Sequence, residues 1–351
     1  MLIRQNAPVF GASNPYQQPG ETQVSFSVRQ LESDTHYSGI EEQVRRHELG
    51  TYVINRQQAG DINVSHTITE RFSVSAGIPY VSASWSIPSP TNPVGPRAQQ
   101  DAAGLGDISV SGRYWLLDTQ THVRGNVAIG VGVKTPTGNY KEQDRFPDRN
   151  GNNAKERFVD QSIQPGDGGW GLTVDVQAFR RFPGFQAFAT GSYLMNPKDN
   201  NGTPSLTVTR LPDGVAAPTN SDRLVNSVTD QYIGRAGAAV PVKKTGFALS
   251  GAFRAEGLPR YDLIGTSHGF RRPGLAMFVE PGVSFARGNH VWSLNVPIAF
   301  YRNRFADPYT GNTGDATFPR YITLVSYGWR FGSKTAPSGT AISGTTPETC
   351  P

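Results

Sequence analysis

The sequence predicts an all-β protein: a transmembrane antiparallel up-and-down β-barrel of about 12 strands, with short periplasmic turns and long extracellular loops. Three observations carry this prediction. Segments alternating apolar and polar residues recur along the 351-residue chain, the connections between them alternate long and short, and the composition does not suit a packed globule. Charged residues make up 17%, against roughly 25% in soluble proteins, yet only 36% are hydrophobic. A wall that turns every second residue to lipid and the rest to a wet lumen needs no more. No run of 18 apolar residues occurs, which excludes a helical span.

The candidate strands are 22–31, 61–69, 71–84, 106–117, 123–136, 170–181, 185–195, 231–242, 246–257, 276–287, 290–304 and 320–331. Their lengths are close to the ~9–11 residues a tilted membrane strand needs. The clearest is "HVWSLNVPIAFYRNR", 290–304. One face carries Trp292, Leu294, Val296, Ile298 and Phe300, expected against lipid; the other carries Ser293, Asn295, Ala299, Tyr301 and Asn303, expected toward the lumen.

Between strands the connections run long (32–60), short (near "TER"), long (85–105), short ("DTQTH"), long (137–169), short ("FPG"), long (196–230), short ("KKT"), long (258–275), short ("GN") and long (305–319). Tight turns on one side and long loops on the other are the habit of outer-membrane barrels, and an even strand number puts both termini on the short-turn side. The short connections hold turn formers, and the long ones are rich in Pro, Gly, Asn and Asp. Tyr80, Tyr114, Trp170, Phe182, Phe185, Phe247, Trp292, Phe300, Tyr321, Trp329 and Phe331 fall near strand ends, as interfacial girdles require. Pro79, Pro241, Pro281 and Pro297 lie inside candidate strands and are expected at bulges or strand ends, because each removes a ladder donor.

The barrel is expected to span 22–331, after a flexible N-terminal segment, 1–21, and before a disordered tail, 332–351, rich in Ser, Thr, Pro and Gly. The start lacks the apolar core of an export signal and reads like the polar beginning of a mature exported chain, so the signal is expected outside this numbering. Cys350 is the one cysteine, which excludes an intramolecular disulfide and a cysteine metal cluster. The Lys and Arg residues behind the net charge of +5 are scattered along the chain without a basic stripe, which argues against nucleic-acid binding.

With the apolar face outward, the alternation turns Arg29, Asp107, Arg113, Lys134, Asp175, Arg235, Arg254, Glu256, Glu280 and Arg330 into the lumen. Energy agrees, since Arg or Lys facing the lipid midplane costs about 2–4 kcal/mol. These charges either line a path and set its selectivity or pair across a narrow lumen and brace the wall. Ala128, Gly130 and Gly132 are small inward positions that leave room or ease coiling. In the loop "LPRYDLIGTSHGFRRPGL", Asp262, Arg271 and Arg272 are candidates for a gate over the mouth. Either arginine could pair there with a lumen carboxylate such as Glu256 or Glu280; a solvated loop with unpaired charges is the alternative.

Two other patterns point away from chemistry. Ser267 and His268 are adjacent, and neighbours on a strand point to opposite faces, so they do not make a nucleophile and base; no enzyme is expected. "DRNGNN" from Asp148 has Gly at the fourth place and no closing Glu, so it reads as a polar turn rather than a calcium loop. No metal or other cofactor is expected.

The stretches "ITERFSVSAGIPYVSASWS", "GLGDISVSGRYWLL", "VAIGVGVKTPTGNY" and "RAEGLPRYDLIGTSHGFRRPG" resemble the meta-pathway phenol-degradation family of outer-membrane transporters, over roughly residues 22–331. The resemblance implies a barrel in the outer membrane of a Gram-negative bacterium and uptake of small, often aromatic or hydrophobic molecules. It carries no catalytic residue. The expected function is a channel or porin-like transporter for passive passage of such molecules. The alternative is a sealed barrel serving as a structural or partner-binding component. Membrane lipids are the expected partners, and a homo-oligomer or larger outer-membrane assembly is compatible with the sequence.

Overall fold

A computed structural model describes residues 12–89, 95–217, 219 and 223–332. The first strand segments in chain order are β1 (Thr22–Ser38), β2 (Glu41–Glu42), β3 (Ile54–Thr67), β4 (Phe72–Ile87), β5 (Ala98–Leu105), β6 (Ser109–Trp115) and β7 (Gly125–Lys134). Next come β8 (Gln143–Phe146), β9 (Lys155–Phe158), β10 (Gly171–Phe182), β11 (Phe185–Met195), β12 (Asn200–Pro204) and β13 (Val225–Ser227). The last are β14 (Gln231–Pro241), β15 (Phe247–Leu258), β16 (Gly274–Arg287), β17 (His290–Asn295), β18 (Ile298–Arg304) and β19 (Ala316–Phe331). Two single turns of helix, α1 (Arg45–Glu48) and α2 (Leu206–Thr209), sit in long connections.

β5 and β6 pair with the same neighbour, β4, and β17 and β18 both pair with β16, so each couple makes one interrupted wall strand. β19 pairs with β1 from Thr22–Phe331 up to Tyr37–Ala316 and closes the sheet. The result is a closed antiparallel barrel of twelve wall strands, each corresponding to one of the predicted segments. The hairpins β8–β9 and β12–β13 lie in the two longest loops.

Why the wall forms is plainest on β7, where Val127, Ile129, Val131 and Val133 are exposed and Asn126, Ala128, Gly130, Gly132 and Lys134 are buried. In lipid every backbone group must find its partner within the protein, and a closed antiparallel sheet is the strand solution. All eleven predicted girdle aromatics are exposed on the outside. The strand prolines sit where the ladder is already broken. Pro79 faces the break between β5 and β6, since Gly106 N–H donates to its carbonyl at 2.8 Å, and Pro281 faces the break between β17 and β18, receiving Val296 N–H at 3.0 Å. Pro297 lies in that second break and Pro241 ends β14.

The strands outrun their predicted ends on the long-loop side. β1 continues to Ser38, β3 starts at Ile54, β4 continues to Ile87 and β19 starts at Ala316. Outward positions there are polar, namely Gln30, Glu32, Arg56, Gln58, Ser82 and Asp101. Glu32 pairs with Arg56 at 2.6 Å and Asp34 with Arg320 at 3.4 Å. A wall that rises beyond the apolar band keeps its period but loses its apolar face, which hides it from a hydrophobic pattern.

Two orientations need correction. The ladder slips between Phe278–Ala299 and Met277–Tyr301, so Ala299 and Tyr301 fall on opposite faces instead of the same one. Phe278 is buried inside; Tyr301 therefore shares the outer face with Met277, Asn303 beside Leu275 follows it, and both predicted lumen positions are wrong. A bulge adds one residue and reverses the phase beyond it.

Ahead of β1, where a flexible lead was expected, Tyr16 inserts into the short-turn end. Its hydroxyl donates to the His122 carbonyl at 2.7 Å, and its ring meets Trp115 and Phe179 edge-on at 5.0 and 5.4 Å. Cys350 and the tail from residue 333 lie outside the described residues.

Candidate translocation path

The predicted inward charges all lie on the lumen side, nine of them in three groups. In the first, Arg29 of β1 reaches across the lumen to Glu256 of β15, with contacts of 2.5 and 3.2 Å. Glu256 also accepts from Arg254 at 2.8 Å, and Arg254 reaches Glu280 of β16 at 3.5 Å. Arg235 of β14 completes the cluster, 2.7 Å from Glu280 in an ion contact not aligned as a hydrogen bond. Three arginines and two glutamates, all nearly buried, tie four wall strands together. Inside the barrel the low dielectric makes such pairs strong and an unmatched charge costly.

In the second group Arg113 of β6 donates to Asp175 of β10 at 2.9 Å, across β7. Gly130 permits it: a Cβ there would fall 2.1 Å from the Asp175 carboxylate. In the third, Lys134 at the end of β7 contacts Asp107 at 3.4 Å and also pairs with Asp167. Arg330 stands apart at the short-turn end, donating to Gln23 at 2.9 Å and to the Asn14 carbonyl at 3.0 Å.

Of the proposed gate residues, the Asp262 and Arg271 side chains are buried and Arg272 is half-buried, but not with the partners expected. Arg271 pairs with Asp262 of its own loop at 2.5 Å, and Arg272 makes a two-point contact with Asp160 of the β7–β10 loop at 2.6 and 2.8 Å. Glu256 and Glu280 are already matched by arginines from the wall. The loop also hydrogen-bonds through its backbone, Phe270 N–H to the Val225 carbonyl at 2.6 Å, so it packs on the β11–β14 loop. Burial alone would push the Asp160 carboxyl up, yet the Arg272 guanidinium and the Ser162 donors hold it below the usual carboxylate range.

Sequence reasoning missed Asp160 and Asp167, which sit in "FVDQSIQPGDGG" without any period to assign them a face. It also missed an apolar layer inside the barrel, where Trp115, Phe179 and Phe188 point inward around Ala128, Ala239 and Ala252. Ser267 Oγ accepts from Asp262 N–H at 2.8 Å while the His268 ring stacks on Tyr309 at 4.2 Å. The Asp148 carboxylate accepts from Asn150 and Asn152 N–H at 2.8 and 3.0 Å, forming a polar turn. Among the described residues no group of three or more His, Cys, Asp or Glu is placed to hold a metal ion.

Among the described residues, these groups leave open two cavities inside the wall. One, of about 280 Å³, lies toward the short-turn end among Asn63, Ser75, Ser111, Arg113 and Gln177. The other, of about 290 Å³, lies toward the long loops between Leu31, Trp85 and Phe318 on one hand and Gln57, Gln161 and Arg272 on the other. Their linings meet at Asp167 and Gln231.

No family model matches the chain, and no curated protein does. Among solved structures, an outer membrane channel from Pseudomonas putida F1 superposes with a TM-score of 0.61 at 10% identity, covering 92% of this chain and 100% of that one. The translocator domain of the autotransporter NalP from Neisseria meningitidis gives 0.43 at 12% identity, covering 91% of each chain. The toluene transporter TbuX of Ralstonia pickettii gives 0.42 at 12%, covering 90% of each. At these identities the first match shows a shared fold, that of an outer-membrane β-barrel; the other two add nothing to it.

Proposed function

We propose that this chain is a passive channel in the outer membrane of a Gram-negative bacterium, passing small molecules with apolar, often aromatic, bodies. The observation that carries the reading is the pair of cavities inside a closed wall that meet at common lining residues. A dry cavity of about 150 Å³ accepts benzene, so each of these has room for a small aromatic molecule. Trp85, Leu31 and Phe318 offer an apolar wall in the second cavity, with amides opposite. The sequence resemblance to outer-membrane transporters of the phenol-degradation family supports the same class of substrate.

Purified protein in liposomes should admit phenol faster than empty liposomes do, exclude a disaccharide, and give small discrete currents in planar bilayers. A membrane that stays silent in both assays would favour the sealed barrel, for which the Arg29–Glu256–Arg254–Glu280–Arg235 cluster is the structural argument.

A further inference from the structure

Arg29, Arg235, Arg254 and Glu280 line neither cavity, so the ionic cluster occupies the lumen toward β1 and β14–β16. The contact between the cavities lies elsewhere, at the base of the β7–β10 loop. Asp107 ties the two ends of that loop together: one carboxylate oxygen accepts Gly138 N–H at 2.9 Å and the other accepts Asp167 N–H at 3.1 Å. Gly138 and Gly166 touch beside this tie, and a Cβ on Gly166 would fall 2.2 Å from the Gly138 carbonyl oxygen. Asp167 is thereby fixed at the junction. Its Oδ1 accepts from Lys134 and from Gly169 N–H at 3.0 Å, whereas its Oδ2 is buried without a hydrogen-bond partner.

Resting on the channel reading above, we propose that Asp167 is the specificity-determining residue of a neck between the two cavities, with Asp107 as its positioning residue. Two carboxylates and one ammonium leave this neck with one negative charge. It favours cations over anions. Gln231 is the uncharged residue that shares the neck, so the sign of the selectivity rests on Asp167.

The test is the reversal potential of the full chain in a planar bilayer under a potassium chloride gradient. Wild type should prefer potassium. Asp167→Asn keeps the shape and should lower the cation-to-anion permeability ratio roughly 25-fold, since a unit charge at about 4 Å in water favours the cation about fivefold and disfavours the anion by about the same factor. Asp167→Glu should retain the preference, and Gln231→Glu should raise it, which keeps the test open should the Asn variant not fold. Asp107→Asn should lower the ratio less than Asp167→Asn. A wild type that conducts with a ratio unmoved by Asp167→Asn, or by Gln231→Glu, overturns the neck alone. A wild type that conducts nothing overturns the channel reading and the neck with it.

Discussion

At the scale of single residues, the lumen is governed by which charges find partners. Glu280 touches both Arg235 and Arg254, so its removal leaves the nearly buried Arg235 guanidinium without a carboxylate partner and Arg254 sharing Glu256 with Arg29. Breaking a buried pair by deleting one partner costs about 3–5 kcal/mol. Glu280→Ala should therefore lower the temperature at which the barrel loses its compact migration on a denaturing gel, and Glu280→Gln should lower it less. An unchanged transition in the Ala variant would mean that the cluster does not brace the wall. The bulge at Ala299–Tyr301 makes a second residue-level prediction. In a Cys350→Ser background, Ser326→Cys, which lines the first cavity, should react with a water-soluble thiol reagent, whereas Tyr301→Cys and Leu294→Cys should resist it in intact membranes. Equal reaction at all three would refute the assigned faces.

Strands and loops differ in how far the sequence discloses them. β7 was legible because Val127 to Val133 alternate with small or polar residues, and one lipid-facing side is all a wall strand must advertise. The ends of β1, β3, β4 and β19 were not, because their outward residues meet water and turn polar while the ladder continues. The direction of each inward charge was legible from its phase; its partner was not. Arg271 and Arg272 find Asp262 and Asp160, the latter 112 residues away on another loop, a pairing that only the folded mouth creates. Trp115, Phe179 and Phe188 defeat the apolar-outward rule because this barrel packs part of its interior.

The loop clamp has its own pH signature. A carboxyl depressed on folding contributes stability that is present above its unfolded value, about 3.9, and that declines as pH falls toward the folded value. Asp160 is held low by Arg272 and Ser162 against the opposing effect of burial, so the clamp between residues 259–273 and the β7–β10 loop should survive at pH 5. Asp160→Asn should remove it at every pH. Limited proteolysis of the 259–273 loop is the measure: cleavage should rise severalfold in the variant at pH 7 and stay low in wild type down to pH 5. Early cleavage of wild type at pH 5 would show that some other group holds the loop.

Over the whole molecule, the proposed path is a series: the long-loop cavity, the neck at Asp167, the short-turn cavity, and the end where Tyr16 meets Trp115 and Phe179. Resistances in series add, but selectivity belongs to the point where a fixed charge stands in a narrow, low-dielectric passage. Tyr16 brings bulk and no charge to its end, and Ser13, Pro15 and Gln17 beside it line the first cavity. Tyr16→Ala should therefore raise the single-channel current by clearing one resistance, and it should leave the reversal potential where wild type has it. Asp167→Asn should do the reverse, shifting the reversal potential with a smaller change in current. If Tyr16→Ala also shifts the reversal potential, charge selection lies at the short-turn end, with Arg71 and Arg330 among the groups that would then set it.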